Sequence, residues 1–210
     1  MRTHKYPAAL LIVVLAFWTW SGVDVQDTRL TWALETLPFM VALPVLLLTY
    51  RRFPLTSLAY TLIAIHAMVL MLGGHYSYAK VPLGFWMEDW FGWTRNNYDK
   101  IGHFWQGFGP AIVVREILAR TSPVKAGGWL SFMSVAVPLA FSALYEILEW
   151  AASLSSPADT EAFLGTQGYV WDTQTDMLMC LAGALAAAAL LSGLHDRQLS
   201  KIRAQRRAGD

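Results

Sequence analysis

Six long apolar stretches divide this chain, and their lengths leave few folds open to it. A hydrocarbon core of ~30 Å takes roughly 20 residues of helix to cross. The stretches cover about 7–24, 30–50, 55–76, 100–120, 128–153 and 172–194. Each is expected to be helix rather than strand, because a lone strand leaves its backbone polar groups unsatisfied in lipid. Pro38, Pro44, Pro110 and Pro138 fall inside them, where neighbouring helices tolerate a kink. Only 15% of residues are charged, against about a quarter in soluble domains. The expected fold is all-α: a polytopic membrane helix bundle of six transmembrane helices, forming a single membrane domain over 1–210 with a basic cytoplasmic tail at 195–210. Cys180 is the one cysteine, so no intrachain disulfide forms.

The basic residues set an orientation. Arg2 and Lys5 precede the first span, Arg51 and Arg52 fill the turn after the second, and Arg115, Arg120 and Lys125 bracket the turn after the fourth. Arg197, Lys201, Arg203, Arg206 and Arg207 follow the sixth. Placing these in the cytoplasm leaves only Arg29, Lys80, Arg95 and Lys100 outside. Both termini are then cytoplasmic. The end of the first span, Phe17-Trp18-Thr19-Trp20-Ser21-Gly22, lacks a small-x-small cleavage site, so the span reads as a retained anchor. Nine tryptophans fall at the outer ends or outer loops, with Trp129 alone at the inner face, which marks the outer headgroup level. Residues 84–93, rich in Trp, read as a short amphipathic piece in that interface.

With this orientation most acids gather on the outer side. Asp99 and His103 are four residues apart on one helical face, and Gln106 extends it. Glu146 and Glu149 lie three apart beside Tyr145; Asp172 and Asp176 again share a face, with Gln174 between them. Charge in a membrane span is expensive and usually faces a cavity. Three helices can therefore aim imidazole and carboxyl groups at one shallow hollow, with His75 at its rim and Glu35 and Asp24 at compatible depth. Asp99, His103, Glu146, Asp172 and Asp176 are the candidate ligands for a divalent metal, since carboxylates with imidazole suit Zn, Mn or Fe. Such an ion would polarise a carbonyl or phosphoryl oxygen, or activate water. Without metal, Glu146 beside other carboxyls suits general acid–base work.

Plainer roles compete for the same residues. Asp99 and Asp172 precede helices and make natural N-caps. His103 suits an interhelical hydrogen bond. Arg95 and Lys100 can neutralise the acids in a structural ion-pair cluster. His66, in mid-span, reads as a packed histidine far from the site, and Arg115 with Glu116 as an interfacial pair. The tail from Arg197 reads as retention charge attracted to anionic lipid. The run from Ala182 to Ala189, holding Gly183, reads as a close-packing face.

The segments Asn97–Phe104, Gln106-Gly107-Phe108, Tyr145–Trp150, Phe163–Gly168 and Trp171–Met177 resemble the YjdF family of small bacterial inner-membrane proteins. The likeness runs from about the second span onward. A looser likeness is to VanZ-like proteins, through Asp99-Lys100-x-x-His103-Phe104, a later Glu, and an Asp opening the last glycine-bearing helix. That second resemblance implies envelope or lipid-linked chemistry, though Glu149 and Asp176 depart from its usual Gln and Asn. Neither resemblance implies a mechanism.

Three readings follow. In the first, an enzyme, with or without a divalent metal, acts on a lipid or amphipathic envelope substrate: His103, Glu146 and Asp176 are ligands or acid–base groups, Glu149 and Asp172 support them, and Gln106, Gln174 and Tyr145 meet the substrate. In the second, the carboxylates bind a cation or relay protons in transport. In the third, a structural subunit uses them to lock helices together. Membrane lipids are expected partners and nucleic acid is not.

Overall fold

A computed structural model of the chain describes residues 4–153 and 169–207, and the side chains of 152, 153 and 205–207 are outside what it describes. The Phe163–Gly168 segment, Arg2 and the side chains of Arg206 and Arg207 therefore lie outside the described residues. The described structure is helical throughout: α1 (Lys5–Ser21), α2 (Arg29–Thr49), α3 (Ser57–Tyr76), a 3₁₀ turn (Tyr78–Lys80), α4 (Pro82–Phe91), α5 (Tyr98–Thr121), α6 (Gly128–Ser153) and α7 (Asp172–Arg207). Local chemistry sets the starts. Thr28 caps α2 by accepting from Thr31 N at 3.0 Å, and Thr56 caps α3 by accepting from Ala59 N at 3.2 Å. Proline opens α4 and Gly92, at φ 65°, ends it in the left-handed region.

Among the described residues, four helices are long and apolar enough to cross a membrane: Arg29–Thr49, Ser57–Tyr76, Gly128–Ala151 and Asp172–Ala204. The other two expected spans differ for physical reasons. α1 has 17 residues, and α5 carries Asp99, Lys100, Arg115, Glu116 and Arg120 along its 24. α4 is a ten-residue helix that exposes Phe85, Trp86, Trp90 and Phe91, as an interfacial amphipathic piece should.

α3 and α5 are the hinge of the architecture. α1 and α2 pack on α3, α6 and α7 pack on α5, and α3 meets α5 to join the two groups. The α5–α7 contact is the most extensive, and glycine makes it so. A Cβ on Gly107 would lie 1.9 Å from the Cys180 carbonyl oxygen, and one on Gly183 would lie 2.0 Å from that of Phe104. The two backbones touch there, with Ala184, Ala187, Ala111 and Ile112 buried alongside. The small-residue face expected in the last span is this seam.

α7 runs 36 residues without a break to Arg207, so the basic segment after the expected span is helical as far as that residue. At 1.5 Å per residue that is ~54 Å, well beyond a bilayer core. The extension is tied down: Leu199 and Ile202 are buried, Leu58 N donates to Gln198 Oε1 at 3.0 Å, and Arg203 donates to the Ala119 carbonyl at 3.1 Å. Around it lies a buried polar knot. Glu116, fully buried, accepts from Thr56 N and Oγ1, from Arg120, and from His195 Nε2 at 3.2 Å. Arg115 contacts His195 Nδ1 at 2.9 Å and pairs with Asp196 at 2.8 Å. Arg115 and Glu116 thus do not pair with each other at an interface; each bonds separately to His195 of α7.

Candidate functional site

At the other end of the bundle, where α2, α5 and α7 begin and α3 and α6 finish, a cavity of about 130 Å³ opens between the two helix groups. Glu35 and Pro38 of α2, His66 and Leu70 of α3, and Tyr78 of the 3₁₀ turn line one side. Asp99, Gly102, His103 and Gln106 of α5, Tyr145 and Glu149 of α6, and Asp172 and Asp176 of α7 line the other. Glycines admit the walls. A Cβ on Gly74 would stand 3.2 Å from Glu35 Cβ, and one on Gly73 or Gly102 would strike the Tyr78 ring at 2.4 or 2.8 Å. Burial pushes the Tyr78 phenol well above the ordinary tyrosine range, helped by the Glu35 carboxylate. Its hydroxyl therefore stays protonated and available as a donor.

The acids divide into two sets. In the first, Asp99, Asp172 and Asp176 are held by two cations. Arg95 reaches Asp172 at 2.7 Å and Asp99 at 3.4 Å. Lys100 reaches Asp176 at 2.7 Å, Asp172 at 2.8 Å and Asp99 at 3.0 Å. Asp99 and Asp172 lie in the first turns of α5 and α7, and their carboxylates serve this cluster, while Asp99 Oδ1 also accepts from the first-turn Lys100 N at 2.8 Å. This is the ion-pair cluster that the sequence allowed for.

The second set is short of partners. His103 Nδ1 meets Gln106 Oε1 at 2.9 Å, which turns Nε2 toward Asp176 Oδ1, 3.6 Å away. Glu146 is buried at 6% exposure with Oε1 3.9 Å from His103 Nδ1, and that oxygen has no hydrogen-bond partner. Glu35 and Glu149 pair with no basic residue among the described residues. Ligand atoms of His103, Glu146 and Asp176 lie within 4.8 Å of one another, as do those of Asp99, Asp172 and Asp176. Lys100 and Arg95 both sit on the second trio and oppose a further cation there. The first trio shares Asp176 Oδ1 with Lys100 but has no ion pair with Arg95, and it contains the orphaned oxygen of Glu146, which makes it the better metal fit.

Other expected members are placed elsewhere. Gln174 stands exposed and outside the cavity lining. His75 is buried between α1 and α3, its Nδ1 3.1 Å from the Ser21 carbonyl and its ring 4.6 Å from Trp20; it is not at the rim. Asp24 is exposed in the α1–α2 turn at φ 47°. His66 is not remote: it lines the cavity floor ~15 Å below the end of α3, so the hollow is deeper than the spacing of acids implied. Tyr78 was missed, because a tyrosine in a loop carries no periodic signal; its two glycine partners, Gly73 and Gly102, are far apart in sequence.

A helical bundle with four membrane-length apolar helices and a carboxyl-lined cavity between two helix groups is an integral membrane protein with a built polar site. The chain belongs to the family described as predicted membrane protein DUF2238, whose pattern residues 6–197 match. It is 47% identical over 195 residues, 93% of this chain and 92% of the relative, to the inner membrane protein YjdF of Escherichia coli (strain K12). No solved structure matches it.

Proposed function

We propose that this inner-membrane protein crosses the bilayer six times with both termini in the cytoplasm, and that its cavity is an outward-facing acid–base site for an amphipathic envelope substrate. The supporting observation is the orphaned Oε1 of Glu146, buried beside His103 and within reach of Asp176. A buried carboxylate oxygen without a donor is costly, and a proton in transit, a substrate hydroxyl or a divalent ion would each supply what it lacks. His103, Glu146 and Asp176 carry the chemistry; Gln106 fixes the ring of His103, Glu149 faces the substrate with Tyr145, and Asp99 and Asp172 hold the walls through Arg95 and Lys100. If an ion binds, it takes His103, Glu146 and Asp176, and supplies Lewis acidity toward a carbonyl or phosphoryl oxygen.

Transport is less well supported. Between this cavity and the Glu116–His195 knot the α5–α7 seam is closed by Gly107, Gly183, Ala184 and Ile112, with no polar path among the described residues. The test is metal content of the purified protein before and after chelation, in the wild type and in Glu146→Gln. Roughly one equivalent in the wild type and none in the variant supports the metal-assisted form. Metal absent from both leaves the acid–base form. Metal retained by Glu146→Gln removes Glu146 from the site.

A further inference from the structure

The cavity does not end at its floor. Pro38, His66 and Leu70 also line a second hollow of about 520 Å³, a groove bounded by α2, α3 and α5 with Phe39, Ala42, Leu46, Val113 and Ile117 among its walls. It exists because α2 packs on α3 and stands away from α5. From Pro38 to Thr49 it follows α2 for ~17 Å, about half of a ~30 Å hydrocarbon core. One ligand could occupy both hollows only if it had a polar head and a flexible apolar chain. The head's charge is readable as well. Arg95 and Lys100 are engaged by Asp99, Asp172 and Asp176, which leaves Glu35 and Glu149, both lining the cavity, without a cation among the described residues. The rings of Tyr78 and Tyr145 stand among them, and aromatic faces attract ammonium groups.

We propose that the cavity and groove together bind a phospholipid with an ammonium headgroup, its amine between Glu35 and Glu149 and one acyl chain along the groove between α2 and α5. The proposal rests on the amphipathic-substrate reading above and narrows it to a class. Glu35 lies ~9 Å and Glu149 ~6 Å below their helix ends, so the head sits below the headgroup plane and its chain starts at Pro38. An anionic headgroup would add charge to a site already in excess of it.

The test is retention of lipid by the full-length protein in nanodiscs of equal phosphatidylethanolamine and phosphatidylglycerol, read by native mass spectrometry. Phosphatidylethanolamine should be retained about tenfold over phosphatidylglycerol. Glu35→Gln/Glu149→Gln should abolish that preference, and Ala42→Trp, which fills the groove without reaching the cavity, should release both lipids. Equal retention in the wild type overturns the headgroup assignment. Retention that survives Ala42→Trp overturns the groove, as does displacement by ethanolamine alone as readily as by the lipid. The readout is independent of the metal measurement. Loss of lipid preference with intact Glu146 chemistry sinks this proposal alone, whereas lipid preference without any effect of Glu146→Gln leaves a binding protein.

Discussion

At the scale of single residues, the two sets of acids predict opposite responses to neutralisation. Lys100 bridges three aspartates from α5 and α7, so Lys100→Met leaves three carboxylates with only Arg95 between them. Removing one partner of a buried pair costs on the order of 3 kcal/mol, and the melting temperature in detergent should fall by several degrees. Glu146→Gln should leave that temperature unchanged or raise it, because Oε1 has no partner to lose. A melt in which both variants fall equally would mean that Glu146 is one more structural tie. Glu116→Ala tests the knot at the other end. It removes the one carboxylate that Arg120 and His195, both buried, share, and should lower folded yield far more than Asp196→Ala, whose side chain is half exposed. The sequence put Glu116 near the end of a span, yet gave no sign that His195, beyond the expected limit of the last span, would fold back on it.

At the scale of helices, the fold was legible where apolar length carries the signal, and the limits moved where tertiary contacts do. α2, α3, α5 and α6 begin and end within a few residues of the expected spans. α7 outran its span because Gln198 and Arg203 find backbone partners on α3 and α5 that no local pattern encodes. The site was legible in its α5, α6 and α7 members, since i, i+3 and i, i+4 spacing puts acids on one face. Its α2 and α3 wall was only glimpsed in Glu35, because a lone polar residue in an apolar helix does not say which neighbour it faces. The α5–α7 seam yields the helix-scale prediction. Gly183→Ala and Gly107→Ala force a methyl into a facing carbonyl, and overpacking of this kind costs about 1–3 kcal/mol. Gly193→Ala, on the same helix with nothing within 4 Å of the added carbon, should be neutral or stabilising. Thermal melts of the three variants separate a packed seam from a general dislike of substitution in α7.

At the scale of the whole molecule, the charge pattern and the cavity make a joint prediction. If basic residues mark the cytoplasm, the Glu116–His195 knot faces inward and the Glu35–Glu149 cavity faces out. Cys180 is buried and is the one cysteine, so it gives a quiet background for labelling introduced cysteines. Gln174→Cys, exposed at the cavity end, should react with a membrane-impermeant maleimide in cells whose outer membrane alone is permeabilised. Ser200→Cys, exposed on the α7 extension, should react only after the inner membrane is opened. Those two outcomes place the ends of α7 on opposite sides, and six crossings also require the start of α1 to share the side of Ser200, because an even number returns the chain to the side on which it began. Lys5→Cys, exposed at the start of α1, then decides whether the 17-residue α1 crosses: it should behave as Ser200→Cys does. If it labels from outside, α1 lies in the interface, five helices cross, and the bundle opens its polar cavity with only its C-terminal end anchored in the cytoplasm.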